Sequence, residues 1–252
     1  MSSPLTDSDE PSSADSLPAQ METEIAQLAG GLAHEIRNPL STIRMNLDLL
    51  AEEIEESQLP QLRRMTTKVD RIRRECLHLE EILTAFLQFA RAGELQLERT
   101  DLGDLVTDFI EVYAPQAEQQ QIVLSPHLAA DMPAVLMDPR LMRQVIMNLV
   151  LNAQQAMPQG GQIVFQTFLR AGRVCLEIID TGKGIPTAAR EKLFQVFFST
   201  KPAGSGLGLP TVRKIVEAHG GTVTCDSEVG KGTRFVIALP VATADSTARS
   251  PC

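Results

Sequence analysis

LRRMTTKVDRIRRECLHLEEILTAFLQFA, residues 62–90, carries apolar side chains at Leu62, Met65, Val69, Ile72, Cys76, Leu79, Leu83, Phe86 and Ala90. Their spacing alternates three and four, the seam of a long helix that packs against other helices. Upstream, Ile25, Leu28, Leu32, Ile36, Leu40, Ile43, Leu47, Leu50 and Ile54 also fall at threes and fours and form a single stripe. The break at Ser57-Gln58-Leu59-Pro60 is short, so the two helices are expected as antiparallel neighbours. A lone hairpin buries little. Two hairpins joined into a four-helix bundle would bury both stripes, which predicts a homodimer. The first helix ends in Glu52, Glu53, Glu55 and Glu56, and the second begins with Arg63, Arg64, Lys68, Arg71, Arg73 and Arg74. A solvated face with partial pairing near the turn accounts for this. A docking surface for an acidic partner is the other reading.

Beyond Gly93 the pattern changes. Residues 102–118 and 139–156 read as helices. Ile163–Leu169 and Arg173–Ile179 read as strands around an Ala171-Gly172 turn. Leu207–His219 reads as a helix, Thr222–Thr224 as a strand, and Thr233–Leu239 as the close of a hairpin across Val229-Gly230-Lys231-Gly232. Strands and helices are mixed without a regular βαβ alternation, so the class is α+β rather than a doubly wound sheet. The boundaries that follow are a disordered tail over 1–21, a helical domain over 22–97, a mixed domain over 98–241 and a second tail over 242–252.

Composition narrows the function. The chain has 252 residues, 43% of them hydrophobic, enough for a sizeable core. Its net charge of −9, one Tyr and absence of Trp argue against nucleic-acid binding by bulk charge or base stacking. Cys76, Cys175, Cys225 and Cys252 are scattered and read as reduced thiols. No apolar run is long enough to span a membrane, and the acidic N-terminus lacks the features of a signal peptide, so a cytoplasmic protein is expected.

His34 lies two positions from both Leu32 and Ile36, so it points away from the buried stripe. Glu35 is adjacent and can favour proton removal from the ring. Asn38 lies one turn along the same face, where its amide could position water, and Pro39 can bend the helix. An imidazole so placed suits nucleophilic attack on phosphorus. Zincin chemistry is excluded, because position 38 is Asn and no second His follows.

Three glycine clusters occupy the second half. Asp180-Thr181-Gly182-Lys183-Gly184 follows a strand, so its carboxylate could accept from an exocyclic amine while the glycines admit a flat ring. Gly204-Ser205-Gly206-Leu207-Gly208 opens a helix, whose free N–H groups suit phosphates. Gly230-Lys231-Gly232-Thr233 reads as a hairpin turn. The spacing matches neither a Walker loop nor a dinucleotide fingerprint. Asn148 and Asn152 share one helix face and offer oxygen ligands of the kind Mg²⁺ takes.

Together these residues resemble the sensor histidine kinases of two-component signalling. Ala33–Leu40 is similar to the phosphoacceptor box of the dimerisation and histidine-phosphotransfer domain. Asn148–Asn152 resembles the N box of the Bergerat-type ATP-binding domain, an α/β sandwich. Asp180–Gly184 resembles the G1 box, Phe194–Phe198 the F box, Gly204–Gly208 the G2 box and Gly230–Gly232 the third glycine turn. The resemblance implies ATP and Mg²⁺ as cofactors. It implies His34 as phosphoacceptor, Glu35 as general base and Asn38 as the residue that positions water for a phosphatase reaction. It places Mg²⁺ on Asn152, with Asn148 as a second candidate. Asp180 would read the adenine amine beside Gly182 and Gly184, and Lys201 would reach the terminal phosphates. Gly204, Gly206, Leu207, Gly208 and Thr233 would complete the ATP site. Gln155 stands where many members carry a basic residue, and the short lid from Phe198 to Gly204 resembles the nitrogen-regulation-like branch. The implied activity is autophosphorylation of His34, then transfer to an Asp of a response-regulator receiver domain, with phosphatase action on that regulator a further possibility. The other reading is a non-catalytic scaffold that binds nucleotide or a receiver. No input domain is visible, so the signal is expected from a separate sensor protein, from the hairpin itself or from a region outside these residues.

Overall fold

The computed structural model describes residues 35, 36, 38–50, 52, 61–91, 95–201 and 204–242. His34 and both expected tails apart from Ala242 lie outside them. The chain divides into two compact units at Ile82/Leu83.

The first unit is helical. Residues 38–50 form α1, and Gln61–Arg91 form α2, whose last turns belong to the second unit. Lys68 Nζ donates to the Leu49 carbonyl (3.1 Å), and Glu35 lies in the field of His78. Contacts therefore run outward from the turn in opposite chain directions, the pattern of an antiparallel pair. Pro39 and Asn46 are buried, and Asn46 Nδ2 donates to the Thr42 carbonyl (2.8 Å). Leu40, Leu47 and Val69, all members of the sequence stripes, stay half-exposed in the single chain.

The second unit is an α/β sandwich. Its elements are β1 (Glu98–Thr100), α3 (Leu102–Gln119), β2 (Ile122–His127), β3 (Val135–Met137), α4 (Pro139–Ala156), β4 (Gly161–Arg170), β5 (Arg173–Asp180), α5 (Thr187–Arg190), α6 (Gly208–Ala218), β6 (Thr222–Glu228) and β7 (Gly232–Pro240). Five strands form one sheet in the order β2-β4-β5-β7-β6; β2 runs parallel to β4 and the other pairs are antiparallel. Alternation sets the layers. Val174, Leu176 and Ile178 of β5 point into a core shared with Phe109 of α3, Val145, Ile146 and Leu149 of α4, and Val212 and Ile215 of α6. The helices start where the sequence supplies caps. Asp101 accepts from Gly103 N (2.6 Å) and opens α3, while Asp138 accepts from Leu141 N (3.0 Å) and opens α4 with Pro139 in its first turn.

Strand β2, which ends at His127, and strand β1, which pairs antiparallel with β3, were not among the elements expected from the sequence. His219 caps the end of α6 and also binds elsewhere. It is buried, with Nδ1 on the Ile215 carbonyl (2.7 Å) and Nε2 accepting from Asp138 N (2.9 Å). The starts of α4 and the end of α6 are thereby tied together. Burial raises the Cys175 thiol and pushes Cys225 up to about 12, so neither is a thiolate near neutrality.

Candidate nucleotide site and phosphoacceptor box

Asp180 ends the central strand β5 and is buried. Its Oδ1 accepts from Gly182 N (2.8 Å) and from Thr233 N (3.2 Å) on β7. Among the described residues both bonds converge on Oδ1, leaving Oδ2 for an incoming donor. Burial pushes the carboxyl above its ordinary range, while the two N–H groups and the Lys201 ammonium pull it back. The loop after Asp180 is clamped from both sides. Lys183 N donates to the Ala156 carbonyl at the end of α4 (3.2 Å), and a Cβ on Gly182 would stand 2.7 Å from Ala156 Cβ. Gly184 has φ +70°, and a Cβ there would run into the Glu228 carbonyl. Ser227 was missed by the sequence reading. Its hydroxyl accepts from Ile185 N (2.8 Å), donates to the Gly232 carbonyl (2.8 Å) and lies 3.1 Å from Thr233 Oγ1. It joins the first glycine loop to the third, and only its register opposite Thr233 could have hinted at this.

Helix α4 supplies the second wall. Asn148 Nδ2 donates to the Gly208 carbonyl at the start of α6 (3.3 Å), so its amide nitrogen ties the two helices together. Asn152 Oδ1 accepts from Lys201 Nζ (2.8 Å), and Gln155 Oε1 accepts from the same ammonium. Burial lowers the Lys201 pKa, Lys183 lowers it further, and Asp180 opposes both. The lid is folded onto itself. Ser199 Oγ accepts from Lys201 N (3.1 Å), and Gly204 N donates to the Lys201 carbonyl (3.2 Å). Gly206 lies directly against the Phe197 backbone, whose own φ is +63°. Phe194 packs on the core. Leu207 is fully buried and precedes α6, which has no side-chain cap; a Cβ on Gly208 would meet open space. The first N–H groups of α6 are therefore available to an anion.

Among the described residues no three His, Cys, Asp or Glu side chains are grouped to hold a metal. The donors fit a hard cation that shares oxygen ligands with a bound phosphate, and the Lys201 ammonium on Asn152 already stands in for one. In the helical unit, Asn38 is exposed and its carbonyl accepts from Thr42 Oγ1 (3.3 Å). Glu35 is half-buried, and its Oε2 has no hydrogen-bond partner among the described residues. Burial raises the Glu35 pKa and His78 opposes the rise.

The sequence profile of the His Kinase A (phospho-acceptor) domain matches residues 24–95, and that of the histidine kinase-, DNA gyrase B- and HSP90-like ATPases matches residues 137–243. The chain belongs to the histidine kinase family. Sensor histidine kinase ZraS of Escherichia coli O157:H7 is 36% identical over 221 residues, covering 86% of this chain and 46% of that protein. Sporulation kinase E of Bacillus subtilis is 33% identical over 219 residues, covering 86% of this chain and 29% of that kinase. The chain thus spans half or less of the length of these histidine kinases. Among solved structures, full-length ShkA in complex with AMPPNP superposes with a TM-score of 0.62 at 30% identity, over 87% of this chain and 46% of that one. The catalytic domain of histidine kinase ThkA superposes with a TM-score of 0.53 at 27% identity, over 58% of this chain and 96% of that one. Among the described residues, no helix is long and apolar enough to cross a membrane.

Proposed function

We propose that this chain is the autokinase core of a two-component histidine kinase, working as a homodimer, with 22–97 as the dimerisation and phosphotransfer domain and 98–241 as the ATP-binding domain. One observation carries the reading. A buried carboxylate with one oxygen open, at Asp180, shares a site with the Lys201 ammonium held on Asn152, beside an α6 start left open at Gly208.

Asp180 Oδ2 accepts from the exocyclic amine of adenine, and Gly182 and Gly184, which have no room for a Cβ, let the loop fold tightly beside it. The α6 N–H groups behind Gly204, Gly206, Leu207 and Gly208 receive phosphate oxygens, and Thr233 holds Asp180 in place. Lys201 reaches the terminal phosphates. Asn152 would hold Mg²⁺, with Asn148 the second candidate, and the ion would neutralise phosphate charge when bound. A His34 ring nitrogen attacks the γ-phosphorus. The N–P bond forms, the bond to the ADP oxygen breaks, and the ring proton passes to Glu35. Burial raises the Glu35 pKa and so makes its carboxylate a stronger base than an ordinary one. The phosphoryl group then passes to an Asp of a receiver domain, and Asn38 positions water for the reverse, phosphatase reaction. A separate sensor protein is a fitting source of the signal. A scaffold that only binds nucleotide would use Asp180 and Lys201 but would have no use for a carboxylate beside His34.

The test is incubation of the wild type and His34→Ala with Mg²⁺ and γ-labelled ATP. Acid-labile, alkali-stable label on the wild type alone supports the reading. An unlabelled wild type that still binds nucleotide would leave the scaffold.

A further inference from the structure

We propose that Gln155 is a positioning residue for Lys201, keeping its ammonium in the site when a metal takes Asn152. The inference rests on the function proposed above. Asn152 and Gln155 are three residues apart on α4, so their side chains lie on neighbouring faces one turn apart. Both carbonyl oxygens converge on the single Lys201 Nζ.

The two acceptors are not equivalent. Asn152 is the oxygen that a hard cation would claim, and a cation on Oδ1 repels an ammonium from the same lone pairs. Gln155 lies farther toward the end of α4 and is exposed, so its oxygen stays free for the lysine. Without that acceptor, an ammonium displaced from Asn152 would have no side-chain partner among the two that hold it here and would turn to solvent. Ser199 fixes the Lys201 backbone but does not touch the ammonium. A neutral amide suits this place. A basic residue at 155 would repel Lys201 instead of accepting from it.

The readout is nucleotide affinity on the whole chain, for ADP and for a non-hydrolysable ATP analogue, with Mg²⁺ and with chelator. Gln155→Met keeps the length and removes the acceptor; Gln155→Ala is the second variant should the first fail to fold. The expected result with Mg²⁺ is a loss of about fivefold for the ATP analogue and little change for ADP, since Lys201 serves the terminal phosphate. With chelator the loss shrinks, because Asn152 still holds the ammonium. In a Lys201→Met background, Gln155→Met adds nothing. Equal losses for both nucleotides, an undiminished loss in the Lys201→Met background, or no loss in the wild-type background overturns the proposal. If the unaltered chain binds neither nucleotide, the ATP-site reading itself fails, an outcome separate from any Gln155 effect.

Discussion

In the proposed ATP site, Asp180 concentrates the recognition chemistry. Its Oδ1 is committed to two backbone N–H groups and its Oδ2 is not, so replacing the carboxylate removes an acceptor without disturbing packing. Asp180→Asn can present an NH₂ to the adenine amine, donor against donor. Loss of a hydrogen bond to a charged group implies about 2 kcal/mol, or roughly thirtyfold weaker ADP binding, by calorimetry. Unchanged affinity would remove Asp180 from the site. In the proposed mechanism Glu35 serves a different step. Its carboxyl must be ionised to take the His34 proton, and burial raises its pKa above the ordinary 4.5. The sign follows: autophosphorylation falls as pH drops through that raised value, so the acid limb lies above pH 4.5. Glu35→Gln should abolish the limb along with most of the rate. A rate profile identical in the Glu35→Gln chain would assign the base elsewhere. Both residues were legible in the sequence, because each sits inside a local motif. Ser227 and the Lys201–Gln155 contact were not, since the partners lie 42 and 46 residues apart and meet only in the folded sheet and lid.

Elements bring these residues to register. The helices α3 and α4 were readable to within a residue, because Asp101 and Asp138 announce their starts and an amphipathic stripe fills their length. The β4–β5 hairpin was readable from its tight turn, where Ala171 and Gly172 both take positive φ. Strand β2 was not. It is an edge strand that contains Pro126, and its partner among the described residues, β4, is parallel and reached across α4, so no local pattern marks it. The link between α4 and α6 was equally hidden. Asp138 N–H finds its acceptor on His219, 81 residues away. Replacing that ring leaves a buried donor unpaired, so His219→Phe should destabilise the chain by about 2 kcal/mol in urea unfolding. Because α4 carries Asn152 and α6 carries Gly208, ADP affinity should weaken too. Full stability in the variant would mean that the His219 bond contributes nothing. Gly232 makes a parallel case in the sheet. It has φ +102°, and a Cβ there would collide with the Asp180 carbonyl, so Gly232→Ala should displace the carboxylate as well as strain the turn.

At the scale of the whole molecule, the two units leave different surfaces. The α/β unit closes its own core around β5, whereas the helical unit leaves Leu40, Leu47 and Val69 about half-exposed although each belongs to a regular apolar stripe. Scattered exposed apolar residues are ordinary, but a stripe held at threes and fours along two helices is the pattern of a bundle completed by further helices. In the proposed homodimer a second copy would supply them by two-fold symmetry, with the same stripe on both sides of the interface. The chain should therefore sediment at about twice its 27.5 kDa. Its melting temperature should rise with concentration, as for any fold that depends on association. Leu47→Glu and Val69→Glu separate this from chance exposure. On a monomer, a carboxylate replacing a half-exposed side chain costs little; inside a bundle it buries an unpaired charge. Each variant should shift the chain toward 27.5 kDa while ADP binding persists, because the Asp180 site is built within the other unit. A wild type that sediments at 27.5 kDa at every concentration would refute the dimer and require the apolar stripes to be covered by a different partner.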